Sequence, residues 1–217
     1  MVKALFTFAL LFVVGQTVAA EQSPQAGKPV KAGEDYQLVS PPQPTSDPAK
    51  VEVIEFFGYA CPHCMHFEPH LSEWLKKKPA NVVFIRQPVI FRPEWAPHAK
   101  GYFTAEALGV TDKVHADFFD AIHTKKMALK SEDDLAKFFA AHGVKEEDFH
   151  KAYGSFAVDS QMRQAEGIAA RYGVDGTPSL VVNGKYRVSA ELAKNFENMI
   201  AITNALIKQE SAAKPSK

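Results

Sequence analysis

Apolar and polar positions along this chain follow two different periods, and the points where one gives way to the other outline its architecture. Val51-Glu52-Val53-Ile54-Glu55-Phe56-Phe57 is rich in β-branched and aromatic residues and predicts a buried strand. After Gly58-Tyr59-Ala60 the period changes. Cys64, Phe67, Leu71, Trp74 and Leu75 recur at three- and four-residue steps, the mark of one helix face. Pro62 suits the first helical position, where its missing N–H would have no partner anyway. Pro69 predicts a kink inside that helix, and Lys76-Lys77-Lys78 closes it with charges matched to the negative pole. Val82 to Arg86 predicts a second strand, so the segment is a βαβ unit with parallel pairing.

From about Pro97 to Tyr172 nearly everything has helical spacing: Ala99 to Leu108, Asp112 to Lys125, Glu132 to His142, Glu146 to Tyr153, and Ser155 to Tyr172. Ser131 with Asp134 forms the pattern of a capping box. Strand spacing returns at Ser179 to Val182, Asn183-Gly184 predicts a hairpin turn, and Tyr186 to Val188 follows. A last helix is predicted from near Ser189, with Leu192, Phe196, Met199, Ile200, Thr203 and Leu206 on one face. Ahead of the first long strand, residues 21 to 34 read as a flexible leader and Tyr36 to Ser40 as a short strand. Pro41 to Pro44 reads as a stiff linker outside the core. The expected organisation is a small α/β sheet with helices on both sides, made of residues 21–96 and 173–208. A helical domain, 97–172, is inserted into it, and 209–217 is a disordered tail.

The first twenty residues limit the compartment. Lys3, the apolar run Ala4 to Val14, and the small residues ending in Ala19-Ala20 have the plan of a secretory signal peptide, cut after Ala20. An apolar run of about 11 residues is too short to span a bilayer, which needs about 20. The mature chain is therefore expected outside the cytosol, where disulfides persist. Lys and Arg number 25, Asp and Glu 25, which argues against nucleic acid or an anionic membrane as the main partner.

In that setting the two cysteines, Cys61 and Cys64, carry the chemistry. As a staple they close a loop too short to stabilise much. As a zinc site they lack a second ligand pair, and Met65 occupies the position where a c-type haem would need histidine. An ordinary disulfide at a helix start stays open. The redox reading fits the spacing better. Cys61 falls at the N-cap, where unpaired N–H groups stabilise a thiolate, and His63 is placed to add charge or a hydrogen bond. Cys64, one turn deeper, is shielded. Thiol–disulfide exchange needs that asymmetry of one exposed low-pKa sulfur and one buried partner.

Phe56-Phe57-Gly58-Tyr59-Ala60-Cys61-Pro62-His63-Cys64, the helical insertion, and Gly176-Thr177-Pro178-Ser179 before the hairpin together resemble a DsbA-type thiol:disulfide oxidoreductase of the bacterial periplasm. The resemblance runs from about Tyr36 to the last helix. It implies an α/β, thioredoxin-like fold with an inserted all-helical domain. By position Cys61 resembles the nucleophile, Cys64 its partner, and Pro62 and His63 the dipeptide between them. Thr177-Pro178 resembles the loop whose proline is cis and whose preceding residue pairs with substrate backbone. Glu55 matches a buried acid beneath the active site; the alternative is an outward-facing carboxylate, as Glu52 is read. Arg86 stands where the family has a lysine, and Thr177 where many members have valine. The implied partners are reduced, unfolded exported proteins and a DsbB-type membrane quinone reductase that reoxidises the pair. No cofactor beyond the Cys61–Cys64 disulfide, no metal and no nucleic acid are implied, and a monomer is expected. The alternatives are a disulfide isomerase or reductase and a non-catalytic thioredoxin-like binding module. For an isomerase of this family, the stretch before Val51 is too short to hold a dimerisation domain.

Overall fold

The computed structural model describes residues 29–213, so the expected signal peptide and its cleavage after Ala20 lie outside the described residues. Residues 29–34 of the expected flexible leader are described and close a turn, the Gly33 N–H donating to Tyr36 O at 2.7 Å. Five strands form one sheet: β1 Gln37–Leu38, β2 Val51–Phe57, β3 Val82–Pro88, β4 Ser179–Val182 and β5 Tyr186–Ser189. Their order is β1-β5-β4-β2-β3. β2 pairs parallel with β3 and antiparallel with β4, so it is central, and all seven of its residues are buried. Helix α1, Pro62–Lys77, makes the crossover between β2 and β3. It runs through Pro69 without a break.

The pleat of β2 sorts its side chains to two faces. Val51 and Val53 pack with Phe67, Leu71 and Trp74 of α1, and with Met199, Ile202 and Leu206 of the last helix. Enclosing each of these large side chains contributes about 1.5–3 kcal/mol. Ile54 and Phe56 face the other way, against Ala169, Tyr172 and Val174. Between β3 and β4 come five helices: α2 Ala96–Ala107, α3 Thr111–His123, α4 Glu132–Ala141, α5 Glu146–Tyr153 and α6 Phe156–Arg171. They enclose a core of their own around Phe118, Leu135, Phe139, Phe149 and Val158, which is continuous with Phe57, Tyr59 and both cysteines. The capping box at α4 is present, with the Asp134 N–H donating to Ser131 Oγ at 3.1 Å and the Ser131 N–H donating to Asp134 Oδ2 at 3.3 Å.

Four expectations need correcting. The last helix is two, α7 Ala190–Ala193 and α8 Phe196–Ala212, separated by Lys194 at φ 67° and restarted by the Asn195 N-cap. The tail from 209 is not disordered at its start. α8 continues to Ala212, and buried Glu210 accepts hydrogen bonds from Asn183, Lys185 and Tyr186. The linker is fastened to the hairpin, because the Gln43 N–H donates to Gly184 O at 2.9 Å and the Val39 N–H donates to Lys185 O at 2.8 Å. Glu52 is not an outward carboxylate either; it is buried and accepts from Ser46 Oγ at 2.6 Å.

The hairpin turn has a demand only glycine meets. Asn183 and Gly184 both have positive φ, 51° and 66°, and a Cβ on Gly184 would lie 2.1 Å from Gln43 O. Gly184→Ala therefore combines a left-handed alanine with a displaced linker. We expect a loss of about 2–4 kcal/mol in denaturant unfolding with an unchanged slope. A loss under about 0.5 kcal/mol would show that the linker is not held by this turn.

Candidate active site

β2 ends at Phe57, and three residues carry the chain from the sheet edge to the first turn of α1. The Cys61 N–H donates to Gly58 O at 3.0 Å, a tight turn, while the Trp95 ring covers the bare Cα of Gly58 so closely that a Cβ there would lie 2.4 Å from it. Cys61 is the N-cap of α1, with extended φ −88° and ψ 115°, and Pro62 opens the helix. The first-turn N–H groups are thus aimed at the Cys61 side chain rather than at a capping oxygen. Cys61 is not the exposed sulfur expected from the sequence: with Thr177 of the cis-proline loop packed against it, it is 7% exposed, and Cys64 is fully buried. His63 and Pro62 are exposed on the first turn.

The Thr177–Pro178 peptide is cis and brings the Thr177 backbone against the cysteine pair. The Cys61 thiol donates to Thr177 O at 3.4 Å. That bond belongs to the protonated form of Cys61, since a thiolate has no hydrogen to donate. Cys61 is pulled from 9.0 to about 5, first by the hydrogen bond from the Cys64 side chain and against the opposing effect of burial. The Thr177 side chain and the N–H groups of Cys64 and His63 add to the pull. His63 thus acts on the sulfur through its backbone. Cys64 is pushed well above 9.0 by burial first, then by the hydrogen bond to Cys61 and its charge. One sulfur is ready as a thiolate near neutral pH, and its neighbour keeps its proton.

Beneath α1 lies a buried polar chain. Glu55 stands on β2 with no exposure, paired in register with Arg86 of β3. Arg86 Nε is 3.2 Å from Glu55 Oε2, but the N–H is poorly aligned. The contact is an ion pair in which both Glu55 oxygens lack a hydrogen-bond partner. Burial, then the charge of Glu68, raises Glu55 to about 8, with Arg86 pulling the other way. Arg86 also donates to Glu68 of α1 at 3.3 Å, and Glu68 lies 3.1 Å from His115 Nε2. Burial works against Glu68 ionising, yet the bond from His115 and the Arg86 charge hold it below the ordinary range. His115 Nδ1 is 2.7 Å from the Tyr59 hydroxyl, which closes the chain beside the cysteine loop.

The structure thus brings Cys61, Pro62, His63, Cys64, Thr177 and Pro178 together at one end of the sheet, and places Glu55 within the core beneath α1. Sequence reasoning passed over Glu68, His115, His123 and Tyr59. Glu68 and Tyr59 carried a local signal, one turn beyond Cys64 on the same helix and two residues before Cys61. The histidines come from α3, 56 and 64 residues beyond Tyr59, and a lone histidine on an apolar helix face gives no sign of its partner.

The profile of the DSBA-like thioredoxin domain family matches residues 52–201, most of the chain and all of this site. The chain belongs to that family. Among DsbA relatives, the thiol:disulfide interchange protein DsbA of Azotobacter vinelandii is 41% identical over 210 residues, 97% of this chain and 96% of its own. The crystal structure of Pseudomonas aeruginosa DsbA superposes with a TM-score of 0.81 at 41% identity, covering 85% of this chain and 96% of that one. The oxidoreductase NmDsbA1 of Neisseria meningitidis gives 0.75 at 26% identity, covering 88% and 98%. The fold is therefore a DsbA-like thioredoxin fold with its helical block between β3 and β4, and the chain is a thiol:disulfide oxidoreductase. Among the described residues no helix is long and apolar enough to cross a membrane.

Proposed function

We propose that the protein is a periplasmic dithiol oxidase that donates its Cys61–Cys64 disulfide to reduced, unfolded exported proteins. The observation that carries this reading is the split between the two sulfurs, one held near 5 at a helix start and the other buried and protonated. A substrate thiolate attacks Cys61 Sγ, and the bond to Cys64 breaks. Cys64, whose proton affinity is high, leaves with the pair of electrons and takes up a proton. A second substrate thiolate then attacks the substrate sulfur of the mixed disulfide. Cys61 leaves as a stable thiolate, so two substrate thiols become one disulfide and the protein is reduced by two electrons. A low-pKa leaving sulfur speeds this step and favours the reduced protein, which makes it an oxidant.

Pro62 and His63 tune the pair from the first turn, Thr177 offers its backbone to the substrate beside cis Pro178, and buried Glu55 sits below as a proton-holding group. The two sulfurs carry both electrons without another cofactor, in a monomer. A DsbB-type quinone reductase in the membrane restores the disulfide. The signal-like residues 1–20 and the kinship with the interchange proteins support export. The reading is tested by titrating the wild-type thiolate through its ultraviolet absorbance, together with oxidation of a reduced test peptide. We expect a midpoint near 5 and rapid peptide oxidation. A midpoint near the ordinary 9.0 overturns the oxidase in favour of a non-catalytic module.

A further inference from the structure

Tyr59 precedes Cys61 by two residues, is 1% exposed, and is gripped at both ends by one helix of the inserted block. Its hydroxyl meets His115 Nδ1 at 2.7 Å, and its main-chain oxygen meets His123 Nε2 at 2.7 Å. Both histidines belong to α3. The ring is held between them, stacked on Phe118 at 4.0 Å between centroids and edge-on to Phe57 and Phe119.

The directions of these bonds follow from their partners. Glu68 is ionised and only accepts, so the neutral, buried His115 carries its hydrogen on Nε2 and accepts from the Tyr59 hydroxyl at Nδ1. A peptide oxygen can only accept, so His123 Nε2 donates to it. An aromatic cage alone would bury Tyr59 equally well with phenylalanines in place of both histidines. What the two polar bonds add is direction: they fix where the hydroxyl points and which way the Tyr59–Ala60 peptide faces. That peptide leads directly into the N-cap residue. The groups that stabilise the Cys61 sulfur as an anion are first-turn N–H groups and side chains of Cys64 and Thr177, and all act over short distances.

We infer that His123 and His115 are positioning residues through which the helical block, acting on Tyr59, fixes the loop that presents Cys61 and so governs its reactivity. The inference rests on the reading of Cys61 as the exchange sulfur. In this reading the insertion does more than flank the site. α3 holds the last residues before the helix start in the orientation that the sulfur needs.

The test compares His123→Leu with His123→Gln in the full chain. The half-buried position tolerates both, and only glutamine keeps an N–H able to reach the Tyr59 oxygen. For His123→Leu we expect the Cys61 titration midpoint to rise by about one pH unit. The equilibrium with glutathione should move by up to about tenfold toward the oxidised protein, about 30 mV. His123→Gln should restore the wild-type values. His115→Phe, which keeps the ring packing and loses both bonds, should shift the midpoint in the same direction. Unchanged midpoint and potential in His123→Leu, with only a lowered melting temperature, would make the contact structural and overturn the inference. If His123→Leu does not fold, His123→Asn, whose shorter amide falls away from the oxygen, replaces it. A shift there supports the inference and no shift overturns it. A wild-type midpoint near 9.0 overturns the exchange reading itself. A low wild-type midpoint shared by every variant overturns only the role of the histidines.

Discussion

Cys61→Ser is expected to fold like the wild type and to lose oxidation of a reduced peptide by at least about three orders of magnitude. The substitution removes one atom's polarisability at a position that is 7% exposed, so packing changes little. What it removes is the anion. A thiol pulled to about 5 is almost wholly ionised at neutral pH, whereas a serine hydroxyl at the same N-cap stays protonated and cannot form a disulfide. Cys64→Ser should behave differently. It leaves Cys61 at the helix start with a hydroxyl donor beside it, but removes the sulfur that would resolve an adduct. Incubated with an oxidised peptide, this variant should accumulate a mixed disulfide on Cys61, seen as the added mass in the intact protein and released by a reductant. Oxidation surviving in Cys61→Ser, or an adduct on Cys61 that never forms, would sink the assigned roles.

The difference between those two sulfurs was legible in the sequence because it is local. A three-residue spacing across a helix start puts one residue at the cap and the next on the first buried turn, whatever the rest of the fold does. The same locality made β2, the βαβ unit, the capping box at Ser131 and the Asn183-Gly184 turn readable. The misses are of two kinds. The break between α7 and α8 depends on a left-handed Lys194, and no property of a lysine side chain announces that. The four-residue step from Leu192 to Phe196 then matches one continuous helix. Glu210, His115 and His123 depend instead on partners distant in the chain, and Glu52 on a linker that folds back to lay Ser46 on it. Glu210 reads as part of a solvated tail until the hairpin at Asn183 to Tyr186 closes over it. The meeting of Cys61 with Thr177 spans 116 residues, and only family resemblance suggested it.

Glu55→Gln should stabilise the protein more and more as the pH rises, which is unusual for removing half of an ion pair. Arg86 faces two carboxylates, and its aligned hydrogen bond goes to Glu68, leaving Glu55 with charge attraction alone. Burial therefore dominates at Glu55 and raises it from 4.5 to about 8. The sign follows from proton counting. Between these values the unfolded chain has released the proton and the folded one has kept it, so folding stability contributed by this group is intact below pH 4.5. It falls across the interval and is lost above pH 8. With about 1.4 kcal/mol for each tenfold change in proton affinity, the full cost is on the order of 4–5 kcal/mol. Glutamine has nearly the shape of the protonated acid and carries no charge to desolvate. Denaturant unfolding of the wild type and Glu55→Gln should therefore nearly coincide near pH 4 and separate by several kcal/mol at pH 9, with the variant the more stable. The reverse order at pH 9 would mean that Arg86 stabilises the ionised Glu55 by more than burial costs it, so that the folded protein holds this carboxyl at or below its ordinary 4.5 rather than above it.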